Sequence, residues 1–185
     1  MGQYYFIAQL PSLDGLSENA PLPISQQRFY ALCEQYLGKK TRAVLEKLTL
    51  LPEKNAQKTG SALLDAWNSG ERALRLALAK SRAEKMKKPF SPGSESLPPE
   101  AVAAANAAVQ IADPLEAETY LLKQRLRFLE TLRPMDAFSE EYLLYFGLKL
   151  KLLTRIQTFD KTRGEAAYRS IYRSVLNGER SEAIS

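Results

Sequence analysis

The sequence lacks the residues on which much enzyme and metal chemistry depends. It contains no histidine, and Cys33 is the only cysteine among 185 residues. Histidine is the commonest general base and shares the binding of transition metals with cysteine, so zinc sites, haem sites and histidine-based triads are excluded. One cysteine cannot form an intramolecular disulfide, and Met1 to Tyr4 show no basic region followed by a cleavage site. We therefore expect a cytoplasmic protein that has no catalytic residues, no metal and no other cofactor.

Long hydrophobic runs and phosphate-binding loops are absent as well. No stretch reaches the length of about twenty apolar residues that a membrane span needs, and neither a GxGxxG nor a Walker sequence occurs. Hydrophobic residues make up 45% and charged residues 25% of the chain, which is typical of a globular protein rather than a disordered one. Lys and Arg outnumber Asp and Glu by 26 to 21, a mild excess that favours acidic partners.

Apolar residues recur at helical spacing along most of the chain, which predicts an all-α helical bundle with long amphipathic helices. The predicted helices cover about 25–37, 44–48, 61–88, 99–109, 113–132, 140–159 and 162–177. The apolar run 4–10 fits either a short extended segment or a buried helix. We expect a single helical domain over 1–185, in which the proline-rich linker near 89–98 is a candidate boundary between two helical subdomains.

Helix-start signals strengthen several of these boundaries. Ser25 and Ser139 precede apolar-periodic segments as N-cap residues. Asp113 is followed by Pro114 and Glu116, which is the pattern of a capping box with proline at the first helical position. The helix over 140–159 is apolar on two sides, so it is predicted to be central and packed between neighbours.

Most of the chemically notable residues have a structural interpretation. Trp67 and Cys33 are expected in the core, and Tyr168 and Tyr172 are expected to face it. Lys149 falls on the apolar side of its helix, where it needs a carboxylate partner such as Glu116 or Glu118, or a stem that reaches solvent. The alternative is a desolvated nucleophile.

The long helix over 61–88 carries its apolar stripe on one face and Arg72, Arg75 and Arg82 on the other. Glu71 precedes Arg75 by four residues, the spacing of a helix-surface ion pair. A solvated helix face is the default interpretation of such arginines. The alternatives are a contact with an acidic protein surface and, with less support because no Gly-rich or aromatic basic segment accompanies them, nucleic-acid binding.

Several segments, in their order along the chain, together resemble a known family, and they are Tyr4 to Pro11, Trp67 with Gly70 to Arg75, Leu78 to Ala83, Ala112 to Glu118, and Leu143 to Arg155 running into Phe159 and Asp160. The family is the bacterial domain-of-unknown-function family that is encoded among the proteins of V-type ATP synthases. That family is distantly similar to the V/A-type ATPase component designated C, or d in eukaryotes, which we call the socket component. Each segment alone is an unspecific amphipathic pattern, and the resemblance rests on their order.

The resemblance implies an all-helical, non-catalytic component that links the central stalk to the membrane ring by protein–protein contacts. Its partners would be V-type ATP synthase subunits, with no small-molecule substrate and with the inner membrane reached only through the complex. Glu71, Arg72 and Arg75 match the family's acidic-basic motif, and together with Arg82 they are the expected partner-binding residues. The socket component is longer and built from repeated helical domains, so the chain would be a minimal form or an accessory assembly factor.

Overall fold

The computed structural model describes residues 2–16, 20–53, 58–91, 93, 95–159, 169 and 172. Over these residues the chain is all-α, which confirms the predicted fold class, and it contains no strand. The helices in this part of the chain are α1 (Gly2–Gln9), α2 (Gln26–Tyr36), α3 (Lys39–Leu45), α4 (Ala62–Lys85), α5 (Pro99–Gln110), α6 (Pro114–Thr131) and α7 (Glu140–Thr158). None of the described helices is both long and apolar enough to cross a membrane.

The N-terminal apolar run, which the sequence leaves open between strand and helix, is helical. Phe6 and Ile7 of α1 are buried, and the Phe6 ring stacks on Tyr36 of α2 with a centroid distance of 5.8 Å. The helix ends at Gln9, two residues before Pro11, because proline disfavours helical backbone in the residue that precedes it.

Side-chain caps begin α2, α4, α6 and α7. Each cap oxygen accepts a hydrogen bond from a backbone N–H of the first turn, at 2.8 to 3.2 Å, and the capping residues are Ser25, Ser61, Asp113 and Ser139. The predicted caps at Ser25, Asp113 and Ser139 are confirmed. These side chains satisfy backbone donors that have no partner within the helix, so they define where each helix starts.

The central helix of the bundle is α7, as predicted. Every residue from Leu143 to Leu150 is buried, and the helix packs against α2, α3, α4 and α6. Phe146 lies 5.2 Å from Phe29 between ring centroids. A Cβ atom at Gly147 would lie only 2.8 Å from Leu48, so this glycine lets the segment after α3 approach the helix closely.

Trp67 and Cys33 belong to this main core, as predicted. The Trp67 ring is fully buried, and its indole N–H donates a hydrogen bond to the carbonyl oxygen of Thr49 at 3.1 Å. Burial raises the pKa of the Cys33 thiol to about 12. A thiol with that pKa stays protonated near neutral pH, so Cys33 acts as a small apolar side chain.

A smaller second core lies between α4, α5 and α6. It is built from residues that are mostly small, which lets the helices approach closely, and they are Leu74, Ala77, Leu78, Ala104, Ala105, Ala108 and Leu121. Ser81 of α4 donates a hydrogen bond to the Asn106 side chain of α5 at 2.7 Å. The helices on the two sides of the linker 89–98 therefore share one core.

Most of the predicted helix over 162–177, including Tyr168, lies outside the described residues. Tyr172 is described and is 55% exposed, which differs from the core-facing position expected for it. Helical spacing assigns residues to one side of a helix, but it does not reveal whether another element covers that side.

Candidate functional site

The four residues that the sequence singles out all lie on α4, whose first turn is anchored to its neighbours. The Ser61 hydroxyl donates to the Glu141 carboxylate of α7 at 2.8 and 2.9 Å, and the same carboxylate accepts from the Leu63 backbone at 3.3 Å. Asp65 accepts hydrogen bonds from the backbone and the hydroxyl of Thr59, both at 2.8 Å, and these lower the pKa of Asp65. The start of α4 is therefore held firmly, which fixes the direction of each side chain along it.

Glu71 points into the protein rather than to the surface. It is 2% exposed, and its two carboxylate oxygens accept hydrogen bonds from the Arg125 guanidinium of α6, at 2.8 and 3.0 Å. Arg125 is itself only 9% exposed. Burial by itself lowers the pKa of Arg125, but the hydrogen bond and the attraction to Glu71, together with Glu118, raise it above its ordinary value. Glu71 therefore cannot contact a partner directly, which differs from the surface role expected for it.

A charge network extends outwards from this pair, and its members alternate in sign. Arg75 lies 3.3 Å from Glu71, which confirms the ion pair predicted from their spacing. The Glu71 carboxylate of this ion pair is buried. On the other side Glu118 lies 3.8 Å from Arg125 and 3.3 Å from Arg155 of α7. The charge network of Arg75, Glu71, Arg125, Glu118 and Arg155 thus connects α4, α6 and α7.

Arg72 lies on the outer side of α4 and fastens the linker that follows the helix. Its guanidinium donates two hydrogen bonds to the Glu95 carboxylate, one of them at 2.6 Å. These bonds raise the pKa of Arg72 and lower that of Glu95. Both side chains remain more than one third exposed. Solvent weakens ion pairs of this kind, so an acidic partner can compete for Arg72 at low cost.

Arg75 and Arg82 complete the outer edge of α4. Besides its ion pair, Arg75 donates a hydrogen bond to the Pro52 carbonyl oxygen at 2.9 Å, and its side chain is 38% exposed. Arg82 is exposed, and among the residues that the structure describes it has no ion-pair partner. The structure thus places Arg72, Arg75 and Arg82 on the outside, as predicted, with Arg82 the most accessible of the three.

A groove of about 500 Å³ lies between α4, α5 and α6. Its walls are largely apolar, and both Glu71 and Arg125 are among its lining residues. The apolar lining includes Gly70, Leu74, Ala101, Ala104 and Phe128. A volume of this size falls within the range of about 300 to 1,000 Å³ that is usual for ligand pockets. Sequence patterning did not find the groove, because it forms only where three helices meet.

Gly70 shapes one wall of this groove. A Cβ atom at this position would lie 2.3 Å from the Phe128 ring, far inside van der Waals contact. The absence of a side chain lets Phe128 lie against α4, where its ring stacks on Trp67 with a centroid distance of 6.2 Å. The close packing of Phe128 against α4 therefore explains why a glycine occupies position 70.

Lys149 has its carboxylate partners, but they differ from the expected ones. Its ammonium donates to Asp14 and lies 2.7 Å from Glu130, while Glu118 pairs with arginines instead. Burial lowers the pKa of Lys149, but the hydrogen bonds to Asp14 and Glu130 outweigh it and raise the pKa above its ordinary value. A lysine held in its protonated form is not a nucleophile. Asp14 was missed because it lies in a loop, 135 residues away.

The described residues contain no group of three or more His, Cys, Asp or Glu side chains that could hold a metal ion. The buried charged side chains of the described residues, Glu71, Arg125 and Lys149, are each paired with groups of opposite charge. The arrangement can stabilise helix packing and present cations along one edge of α4.

The fold and the site together define an all-helical bundle with an internal charge network. No protein-family model, no curated protein and no solved structure matches the chain. The similarity to proteins encoded with V-type ATP synthases therefore stays a prediction that rests on the order of the resembling segments.

Proposed function

We propose that the chain is a non-catalytic component or accessory protein of a bacterial V-type ATP synthase. In this role it resembles the socket component and links the central stalk to the membrane ring by protein–protein contacts. The chain carries out no chemical step of its own. It acts as a rigid connector whose surface recognises other proteins of the complex.

The charge network is the observation that carries this proposal. Glu71 and Arg75 belong to one segment of the resemblance, Glu118 to a second and Arg155 to a third, and Arg125 joins the first to the second. Residues that are far apart in the sequence thus form one connected structure. A component that transmits torque needs helices that do not slide against one another, and buried paired charges resist sliding because separating them leaves an uncompensated charge.

The outer edge of α4 is the proposed contact surface. Arg72, Arg75 and Arg82 lie on this edge, and Arg82 is exposed without a described ion-pair partner. An acidic surface on a stalk protein would complement Arg82 and compete with the partly exposed Glu95 for Arg72. Glu71 contributes indirectly, because it holds Arg75 in place from inside the protein.

The proposal is tested by affinity purification of the tagged chain from membranes of its native host at physiological salt, with mass spectrometry of the retained proteins. We expect the catalytic, central-stalk and ring subunits in a fixed ratio to the chain. Recovery of none of these subunits would overturn the assignment.

A matched pair of single substitutions tests the contact surface. Arg82→Glu and Lys39→Glu each reverse one exposed charge, on α4 and at the start of α3 respectively. We expect Arg82→Glu to lower the retention of ATP synthase subunits several-fold and Lys39→Glu to leave it unchanged. Equal retention by the two variants would show that the edge of α4 is not the contact.

A further inference from the structure

The end of α4 forms a basic tip, which we define as residues 85–90. Its lysines Lys85, Lys87 and Lys88 are all exposed, and Arg82 adds a fourth cation one turn earlier. The only carboxylate between Arg82 and the end of the tip is that of Glu84. It lies 3.9 Å from the Lys80 ammonium, so its charge is compensated locally. The Lys85 ammonium donates a hydrogen bond to the Val109 carbonyl oxygen at 2.8 Å. The tip therefore concentrates positive charge at the surface, with Lys87 and Lys88 beyond this contact.

Lys87 occupies a backbone position that normally belongs to glycine. Its φ is 54°, in the left-handed region. The flanking hydrogen bonds, from Lys88 N–H to Ala83 at 2.8 Å and from Lys87 N–H to Glu84 at 3.0 Å, form the Schellman motif that closes a helix. A side chain at this position strains the backbone, and glycine would not. Lys87 is exposed despite its strained backbone.

Two apolar side chains accompany the lysines at the basic tip. Met86 is 58% exposed and Phe90 is 39% exposed, and both lie within three residues of Lys87. Large apolar side chains beside lysines are characteristic of surfaces that insert into the interface of a lipid bilayer, where apolar groups reach the acyl region and ammonium groups meet headgroup phosphates.

We propose that the basic tip is a membrane-surface site that binds anionic lipid headgroups, with Met86 and Phe90 entering the bilayer interface. A nucleic acid would attract the lysines but would leave Met86 in water. An anionic bilayer complements both the charges and the apolar side chains. The site goes beyond the proposed function, since it gives the chain a direct contact with the membrane surface and needs no other protein.

The test uses the purified full chain and sedimentation with vesicles of phosphatidylcholine alone or of phosphatidylcholine with phosphatidylglycerol. We expect binding only to the anionic vesicles, with an affinity that falls as salt rises. Lys87→Glu with Lys88→Glu should weaken binding at least about tenfold, since each cation contributes about a fivefold gain at an anionic surface. Lys39→Glu with Lys40→Glu makes the same charge change at the start of α3 and should leave binding within about twofold of the parent chain.

The variant Lys87→Gly distinguishes a loss of vesicle binding from a loss of folding stability. It relieves the positive φ, so the thermal midpoint should stay the same or rise, while the affinity for anionic vesicles should fall about fivefold. Met86→Ser with Phe90→Ser should weaken binding without changing the charge. Equal binding to neutral and anionic vesicles would overturn the proposal. Vesicle binding by the tip variants that equals that of the α3 control would also overturn it. The same holds if the chain binds an acidic protein or DNA but does not bind the vesicles.

Discussion

The Glu71 carboxylate and the Arg125 guanidinium, 54 residues apart in the chain, meet through two hydrogen bonds inside the protein. The pair joins α4 to α6 and lines the apolar groove, and Arg75 and Glu118 form further ion pairs with Glu71 and Arg125. Each charge is tolerable in the interior only because the other is present. The position of α4 against α6 therefore depends on both residues together.

Removing one member of this pair should destabilise the protein strongly. We expect Arg125→Met to lower the free energy of unfolding by about 3 to 5 kcal/mol, because it leaves the Glu71 carboxylate buried with only Arg75 nearby. Urea unfolding followed by the fluorescence of Trp67, which is buried in the folded state, measures the change.

Replacing both members should be much less harmful. Glu71→Met with Arg125→Met leaves no uncompensated carboxylate or guanidinium at the centre, and apolar replacements of buried pairs are often neutral. We expect the double variant to recover most of the stability that Arg125→Met loses. A double variant as unstable as the single one would contradict the mutual dependence of the two charges.

Lys149 provides a second asymmetric test. Asp14 and Glu130 are 49% and 42% exposed, so Lys149→Met lets both carboxylates return to solvent and should cost less than about 2 kcal/mol. Asp14→Asn with Glu130→Gln leaves the ammonium buried without a countercharge and should cost about 3 to 5 kcal/mol. Chemical unfolding of both variants measures which loses more stability. If Lys149→Met lost more than Asp14→Asn with Glu130→Gln, Lys149 would not depend on the two carboxylates for its charge.

The Asp14 carboxyl predicts how stability changes with pH. Its pKa lies below the ordinary value of 3.8, chiefly because Lys149 donates a hydrogen bond to it. A lowered pKa in the folded state gives stability that is present above the unfolded pKa and is lost as the pH falls through the folded pKa. The stability difference between the parent chain and Asp14→Asn should therefore be constant above about pH 5 and shrink in acid. Urea titrations across this pH range measure the stability difference. A difference that grows in acid would contradict the pairing of Asp14 with Lys149.

Cys33 should be chemically inert while the protein is folded. Burial raises the pKa of its thiol to about 12, and thiol reagents attack the thiolate. We expect a colorimetric disulfide reagent at neutral pH to react at the rate of unfolding and to react at once in concentrated urea. Rapid reaction of the folded protein would mean that the α2 side of the core opens without global unfolding.

The sequence was sufficient for the elements whose signals are local. Ser25, Asp113 and Ser139 cap the helices they were expected to begin, because a cap needs only its own first turn. The same holds for the burial of Trp67 and the central position of α7, which follow from apolar periodicity.

The charged residues of the site depended on tertiary packing and were predicted less well. Glu71 follows Trp67 by four residues and precedes Leu74 by three, so it lies on the apolar stripe of α4, and this spacing was the available signal of its burial. Its partner Arg125 lies likewise among the buried leucines of α6. Neither helix alone reveals which carboxylate meets which guanidinium, and the loop residue Asp14 gave no periodic signal at all.

Purification of a V-type ATP synthase through a tag on its catalytic subunit tests whether the chain is a component of that complex, as we propose. We predict that this chain appears in the purified complex in a fixed ratio to the central-stalk proteins, and that Arg82→Glu lowers the ratio while Lys39→Glu does not. A complex that is complete and active but contains none of this chain, in cells that produce it, would contradict the claim.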